Sequence, residues 1–252
     1  MKKRIDFIVV GAQKSGTSAL HEFLSAHPDI SMPASKEMHF FNRVSEVDFS
    51  LPLWRDRKRA LYHKRFPHFP NPSFVYGEAT PHYMTWNMAL DRIRVYNPEV
   101  RILALLRHPV DRAFSHWNME LQRGHVGGSF DDAVQHELLE VEHVGKHLDK
   151  VRSFLRRGFY VPQIQALWDR FGSDRVLLLK HRELLENHSA TLSRVHDFLG
   201  VAPHDVPPRE VHSRTYENSM SAETRARLLT LYAEDVEGVE KHLGWNCADW
   251  KS

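Results

Sequence analysis

The run Phe7-Ile8-Val9-Val10-Gly11-Ala12-Gln13-Lys14-Ser15-Gly16-Thr17-Ser18-Ala19-Leu20 decides the fold. Its first four residues are apolar and rich in β-branched side chains, as in a buried strand. Gly11 and Gly16 bound a polar loop, and Ala19-Leu20-His21-Glu22-Phe23-Leu24 carries apolar residues at helical spacing. Strand, glycine-bounded loop and helix in that order aim backbone N–H groups and a helix N-terminus at one point, an arrangement suited to a phosphate group.

A nucleoside-triphosphatase loop needs a lysine directly after its second glycine. Here that position is Thr17, and the loop's lysine, Lys14, stands earlier in the sequence. The loop is therefore expected to hold a phosphate without being built for Mg-ATP.

The bulk composition narrows the class. A chain of 252 residues can bury a full core and suits one α/β domain. Lys+Arg number 34 against 32 Asp+Glu, a net +2 that does not suggest a nucleic-acid binder. The 18 histidines make the protein more cationic in mild acid. Cys247 is the single cysteine, so an intrachain disulfide framework and a cysteine-rich zinc site are both excluded. The basic start is followed by an apolar run too short for a signal peptide, and nothing is long enough for a membrane span. The expectation is a soluble, cytoplasmic protein.

Further along, Lys36-Glu37-Met38-His39-Phe40-Phe41 places an acid two residues before an imidazole. In an extended segment Glu37 and His39 point to one side, where they form an acid/base pair or remain a solvated acid and a capping histidine. Residues 42–72 are irregular and interleave bases with aromatics (Trp54, Arg55, Arg57, Lys58, Arg59, Tyr62, His63). They suit either the lining of an anionic or sugar-like acceptor site or an ordinary surface helix. Residues 74–79 and 100–106 read as strands buried on both faces, and 175–180 as another. Helices are expected over 86–96, 129–147, 154–171, 181–199 and 221–243. His143 and His147 are one helical turn apart, without an evident third ligand. Strands alternating with helices predict a parallel β-sheet covered by helices on both faces, in a single domain.

The run Arg107-His108-Pro109-Val110-Asp111-Arg112-Ala113-Phe114-Ser115 follows one of those strands. Proline suits the first helical turn. A guanidinium at the strand's carboxyl end and a hydroxyl about two turns into the helix can reach one phosphate at the edge of an open α/β sheet.

Taken together, these segments resemble the sulfotransferases that use 3′-phosphoadenosine 5′-phosphosulfate (PAPS). The loop around Lys14 is similar to their 5′-phosphosulfate loop, and Arg107 through Ser115 to their 3′-phosphate motif. Ala19 stands where cytosolic members place an adenine-stacking Trp, and Lys36 through Phe41 is similar to the Glu-x-His-Phe-Phe segment of the heparan-sulfate sulfotransferase-like group. The likeness points to that group and its bacterial soluble relatives. It implies Glu37 as general base, with His39 beside the acceptor or the leaving sulfuryl group. It further implies Lys14, Ser15, Gly16, Thr17 and Ser18 on the 5′-phosphosulfate, Arg107 and Ser115 on the 3′-phosphate, and His181 near the adenine. The glycine-rich closing loop of the family is not recognisable; Val211 to Tyr216 lies in its place, and Arg214 would do part of its work. Heparan-type enzymes carry a lysine after the glutamate that corresponds to Glu78, where this chain has Ala79.

The implied activity is sulfuryl transfer from PAPS to a hydroxyl of a glycan, a lipid-linked sugar or a natural product, with PAP as product and no metal required. Two other readings stay open at this point: a P-loop kinase, and a non-catalytic binding module on the same fold.

Overall fold

The computed structural model describes residues 3–43, 52–141, 151–208 and 218–252. The chain divides into two compact units. The first comprises residues 1–12, 16–105 and 166–212, and the second 13–15, 106–165 and 213–252.

The first unit holds the sheet. Its strands are β1 (Phe7–Gly11), β2 (Ile30–Ser31), β3 (Val75–Ala79), β4 (Arg101–Leu106, whose last residue belongs to the second unit) and β5 (Val176–Lys180). They lie in the order β2-β3-β1-β4-β5. The registers Phe7↔Gly77, Phe7↔Arg101 and Ile30↔Val75 are all parallel. The expectation of a parallel α/β sheet therefore holds. Phe7, Val9, Leu103 and Leu105 pack with Leu20, Phe23 and Leu24 of α1 (Thr17–Ser25) and with Leu192, Val195 and Leu199 of α9 (His188–Leu199). Ile8, Val10, Ile102 and Ala104, of opposite parity, are also fully buried. A strand buried on both faces has no polar alternation to keep, which is why these segments read as continuous apolar runs.

Several helices complete this unit: α2 (Phe40–Arg43), α3 (Pro52–His63), α4 (Asn87–Tyr96), the end of α7 (Val161–Phe171), and the pair α8 (His181–Glu186) and α9 (His188–Leu199). The helix expected over 181–199 is thus two. Asn187 breaks it with φ −124° and ψ 47°, a conformation a helix cannot continue through. The 42–72 segment contains α3 rather than an irregular stretch. Its Tyr62 is buried, and its hydroxyl donates to Glu78 Oε1 at 2.6 Å. At this point the segment serves the core of the unit.

The second unit is helical: α5 (Pro109–Gln122), α6 (Phe130–Val141), the start of α7 (Val161–Phe171) and α10 (Ala222–Leu243). His143 and His147 lie outside the described residues, as does the end of the helix expected there. The single long helix expected over 154–171 is instead a 3₁₀ turn, Arg156–Gly158, followed by α7. The reason is a distant cap. Asp235 of α10 accepts from the N–H groups of Tyr160 at 2.6 Å and Val161 at 3.0 Å, so a new helix starts there. Ser221 caps α10 by accepting from Thr224 N–H at 3.0 Å, and Gly244 ends it at φ 66°. Among the described residues no helix is long and apolar enough to cross a membrane.

Candidate active site

Three candidate segments follow the carboxyl end of a strand in the chain: the loop after β1, Arg107 after β4 and His181 after β5. Open α/β sheets bind ligands at those ends.

The β1–α1 loop is tightly built. A Cβ at Gly11 would come within 2.6 Å of Met84 Cβ, so only glycine lets the strand end pass. Lys14 and Gly16 both take left-handed backbone, at φ 69° and 86°. Gly16 is the N-cap of α1; no side chain caps the helix and its first turn holds no acid. Its leading N–H groups are thereby left to an anion. Thr17 is buried, and Ser18 accepts from Lys36 Nζ at 2.8 Å. His181, the first residue of α8, lies against Gly16, where an added Cβ would stand 2.6 Å from its Cδ2. The structure thus brings His181 to the loop.

In the second unit the backbone of Arg107 is held by one buried hydroxyl. Tyr160 Oη donates to the Arg107 carbonyl at 2.7 Å and accepts from its N–H at 3.4 Å. Arg107 Nη1 donates to the carbonyl of Lys14 at 3.3 Å, which ties the post-strand arginine to the loop lysine. Ser15 is fully buried. Gln13 is held by Arg157, which donates to its side-chain oxygen. Ser115 sits on α5 and is buried, at 2% exposure. His108 opens that helix by accepting from Val110 N–H at Nδ1, 3.2 Å away.

The acid–imidazole pair is real, but its geometry differs from the expectation. Residues 37–39 are not a strand. Glu37 and His39 both have left-handed backbone, φ 63° and 53°, and the segment is hung on the end of β3. Glu37 N–H donates to the Ala79 carbonyl at 2.9 Å, and His39 N–H to Thr80 Oγ1 at 3.5 Å. The side chains meet because the backbone is bent, with Glu37 Oε2 and His39 Nε2 3.3 Å apart. Two further residues complete the cluster. Lys36 Nζ lies 3.4 Å from Glu37 Oε1, and His82 Nδ1 lies 3.9 Å from Glu37 Oε2.

Burial alone would raise the pKa of Glu37. The hydrogen bond from His39 and the nearby charges of Lys36 and His82 outweigh it, and the carboxyl is drawn down to about 2. It is a carboxylate at any physiological pH. Burial in turn lowers the pKa of Lys36, against the pull of Glu37. Lys36 stands in the same sequence run as Glu37, and His82 in Gly77-Glu78-Ala79-Thr80-Pro81-His82-Tyr83. Neither has a periodicity that marks it, and only the fold shows that both converge on Glu37. Arg214 and the rest of 211–216 lie outside the described residues.

Comparison with known proteins gives the family. The family model "Sulfotransferase domain" matches residues 4–246. Human heparan sulfate glucosamine 3-O-sulfotransferase 6 is 29% identical over 194 residues, covering 77% of this chain and 52% of that protein. Mouse bifunctional heparan sulfate N-deacetylase/N-sulfotransferase 1 is 30% identical over 214 residues, covering 77% of this chain and 22% of that protein. The chain thus spans about half the length of the first relative and about a fifth of the second. Among solved structures, a sulfotransferase from Alicyclobacillus acidocaldarius superposes with a TM-score of 0.82 at 27% identity, covering 99% of this chain and 100% of the other. A mouse sulfotransferase complexed with PAP shares the fold, with a TM-score of 0.52 at 16% identity over 81% of this chain and 62% of that one. With a family match running through loop, sheet and C-terminal helix alike, this chain belongs to the sulfotransferase family.

Proposed function

We propose that the chain transfers a sulfuryl group from PAPS to an acceptor hydroxyl, with Glu37 as the general base. The observation that carries this reading is the short link Glu37–Lys36–Ser18, which joins a fully ionised carboxylate to the phosphate-type loop. The acceptor oxygen attacks sulfur as the bond from sulfur to the 5′-phosphate oxygen breaks. The hydroxyl proton passes to Glu37, and PAP leaves. Lys14 stabilises charge on the departing oxygen, with His39 beside the reacting group. The loop N–H groups, Ser15, Gly16 and the hydroxyls of Thr17 and Ser18 hold the 5′-phosphate. Arg107 and Ser115 hold the 3′-phosphate, which ATP lacks, His181 borders the adenine, and Arg214 contributes from the segment beyond Pro208. A sulfuryl group carries less charge than a phosphoryl group, so no metal is needed to neutralise it. The family match runs unbroken from 4 to 246, which supports reading the chain as one sulfotransferase domain.

The acceptor class is a glycan, a lipid-linked sugar or a natural-product hydroxyl. The relatives' names favour the glycan. Ala79, in place of the lysine of heparan-type enzymes, favours an acceptor with fewer anionic groups than heparan.

Calorimetric titration with PAP and with ADP, both without metal, tests the reading. PAP should bind far more tightly than ADP, and Arg107→Ala and Lys14→Ala should each weaken it. Metal-dependent ADP binding with no preference for PAP would return the chain to a kinase.

A further inference from the structure

Glu37, His39 and His82 offer a carboxylate oxygen and two imidazole nitrogens that all lie within 4.8 Å of one another. Four-coordinate Zn²⁺ with bonds of about 2.0–2.1 Å places neighbouring ligand atoms about 3.3–3.4 Å apart. The Glu37 Oε2 to His39 Nε2 separation is 3.3 Å, already such an edge, and Glu37 Oε2 to His82 Nδ1 is 3.9 Å. Closing the triangle asks for rotations of two imidazoles whose rings sit 5.2 Å apart, centre to centre.

The surroundings suit a metal as well. Asn42 Oδ1 lies 3.3 Å from His39 Nδ1. In the tautomer that donates from Nδ1 to Asn42, Nε2 is the nitrogen that would ligate a metal beside the carboxylate. Zinc-bound histidines commonly have their second nitrogen fixed by an oxygen in this way. The side chains of His39 and His82 are 15% and 13% exposed and that of Glu37 35%, so the triad is walled yet open at the carboxylate, where a water or an acceptor oxygen would fill the fourth position. Carboxylate and imidazole donors in this number favour Zn²⁺ and its neighbours in the first transition row over Mg²⁺ or Ca²⁺.

We infer that Glu37, His39 and His82 form an inhibitory binding site for a divalent transition-metal ion, Zn²⁺ above all, that occupies the general base. The inference about inhibition rests on the sulfotransferase reading; metal binding itself does not. Metal and transferred proton compete for one carboxylate, so bound zinc stops turnover while leaving the nucleotide loop intact.

The test is calorimetric titration of the full chain with Zn²⁺, with the visible spectrum of Co²⁺ as a second reading of four-coordinate geometry. His82→Gln should weaken the strongest zinc site at least tenfold, and His39→Gln combined with His82→Gln should abolish it together with the Co²⁺ spectrum. PAP affinity should stay as in the parent, which also reports that the variants are folded. In assays, micromolar Zn²⁺ should inhibit and a chelator should restore the rate. Equal zinc affinity in parent and double variant overturns the site. Zinc binding that depends on the triad, in a chain that neither binds PAP nor turns over, keeps the site and removes the sulfotransferase reading instead. Turnover untouched by zinc bound at the triad overturns the inhibition.

Discussion

Lys36 Nζ donates to Ser18 Oγ at 2.8 Å while standing 3.4 Å from Glu37 Oε1. One ammonium thus serves both the nucleotide loop and the proposed base, and it lowers the pKa of the carboxyl. Lys36→Met should leave Ser18 without this donor and Glu37 without its nearest fixed charge. A charge-assisted hydrogen bond of this kind contributes about 1.5–3 kcal/mol, or roughly 10- to 100-fold in rate if its full effect falls on the transition state. Steady-state kinetics should show the loss mainly in kcat, with a smaller rise in KM for PAPS. Unchanged kcat in a folded variant would remove Lys36 from the machinery.

Glu37→Gln keeps the size of the side chain and removes the proton acceptor. Turnover should fall by about 10²–10⁴-fold, the usual scale of general base catalysis. PAP affinity, measured by calorimetry, should change little. Parallel loss of turnover and PAP binding would mean that Glu37 holds the nucleotide or the loop rather than the proton.

Stability should depend on pH through two opposed sets of groups. Burial is the main cause that lowers the pKa of His21, His63, His108 and His196 from 6.5, with His63 reaching about 4. A histidine of this kind takes up its proton more readily when unfolded. Its contribution is therefore complete above 6.5 and is lost as pH falls through the folded value. Glu78 acts in the other direction. Burial raises it from 4.5 to about 7, over the opposition of hydroxyl donors on Tyr62, Thr80 and Tyr83, so its contribution is present below 4.5 and is lost as pH rises through about 7. Melting temperatures should fall in acid for the parent. Glu78→Gln removes the opposing contribution, so between pH 4.5 and 7 its melting temperature should climb with pH more steeply than the parent's. Equal slopes would show that Glu78 ionises alike in both states.

Gly77 faces Phe7 across the β1–β3 pair, and a Cβ there would fall on the Phe7 ring. Gly77→Ala should destabilise the protein by about 1–3 kcal/mol through overpacking, read as a lower urea midpoint at unchanged slope. A neutral result would show that the Phe7 ring can move aside within the core.

What the sequence discloses and what it hides have separate physical causes. β1, β3, β4 and β5 are legible because both faces are buried, which leaves long apolar runs. β2 is not, since Ile30–Ser31 is too short for any period and exists because Val75 and Tyr76 lie alongside. The start of α7 is marked locally by Pro162 in its first turn, but the Asp235 carboxylate that caps it is remote in the chain and has no signal near Val161. At the site, residue types name Lys14, Glu37, Arg107 and Ser115 as candidates. The approach of His82 and Lys36 to Glu37 depends on the bend at 37–39 and on the turn after β3, neither of which is written in spacing.

The residues outside glycine with positive φ among those described are Lys14, Glu37, His39 and His68. All but the last carry the proposed chemistry. Left-handed backbone costs an L-residue about 1 kcal/mol or more, and glycine escapes that cost. Selection for heat resistance alone would therefore drift at positions 14, 37 and 39 towards glycine or asparagine, whereas selection for turnover would hold lysine, glutamate and histidine there. In lineages that keep the fold after losing the reaction, these positions should be the first to change.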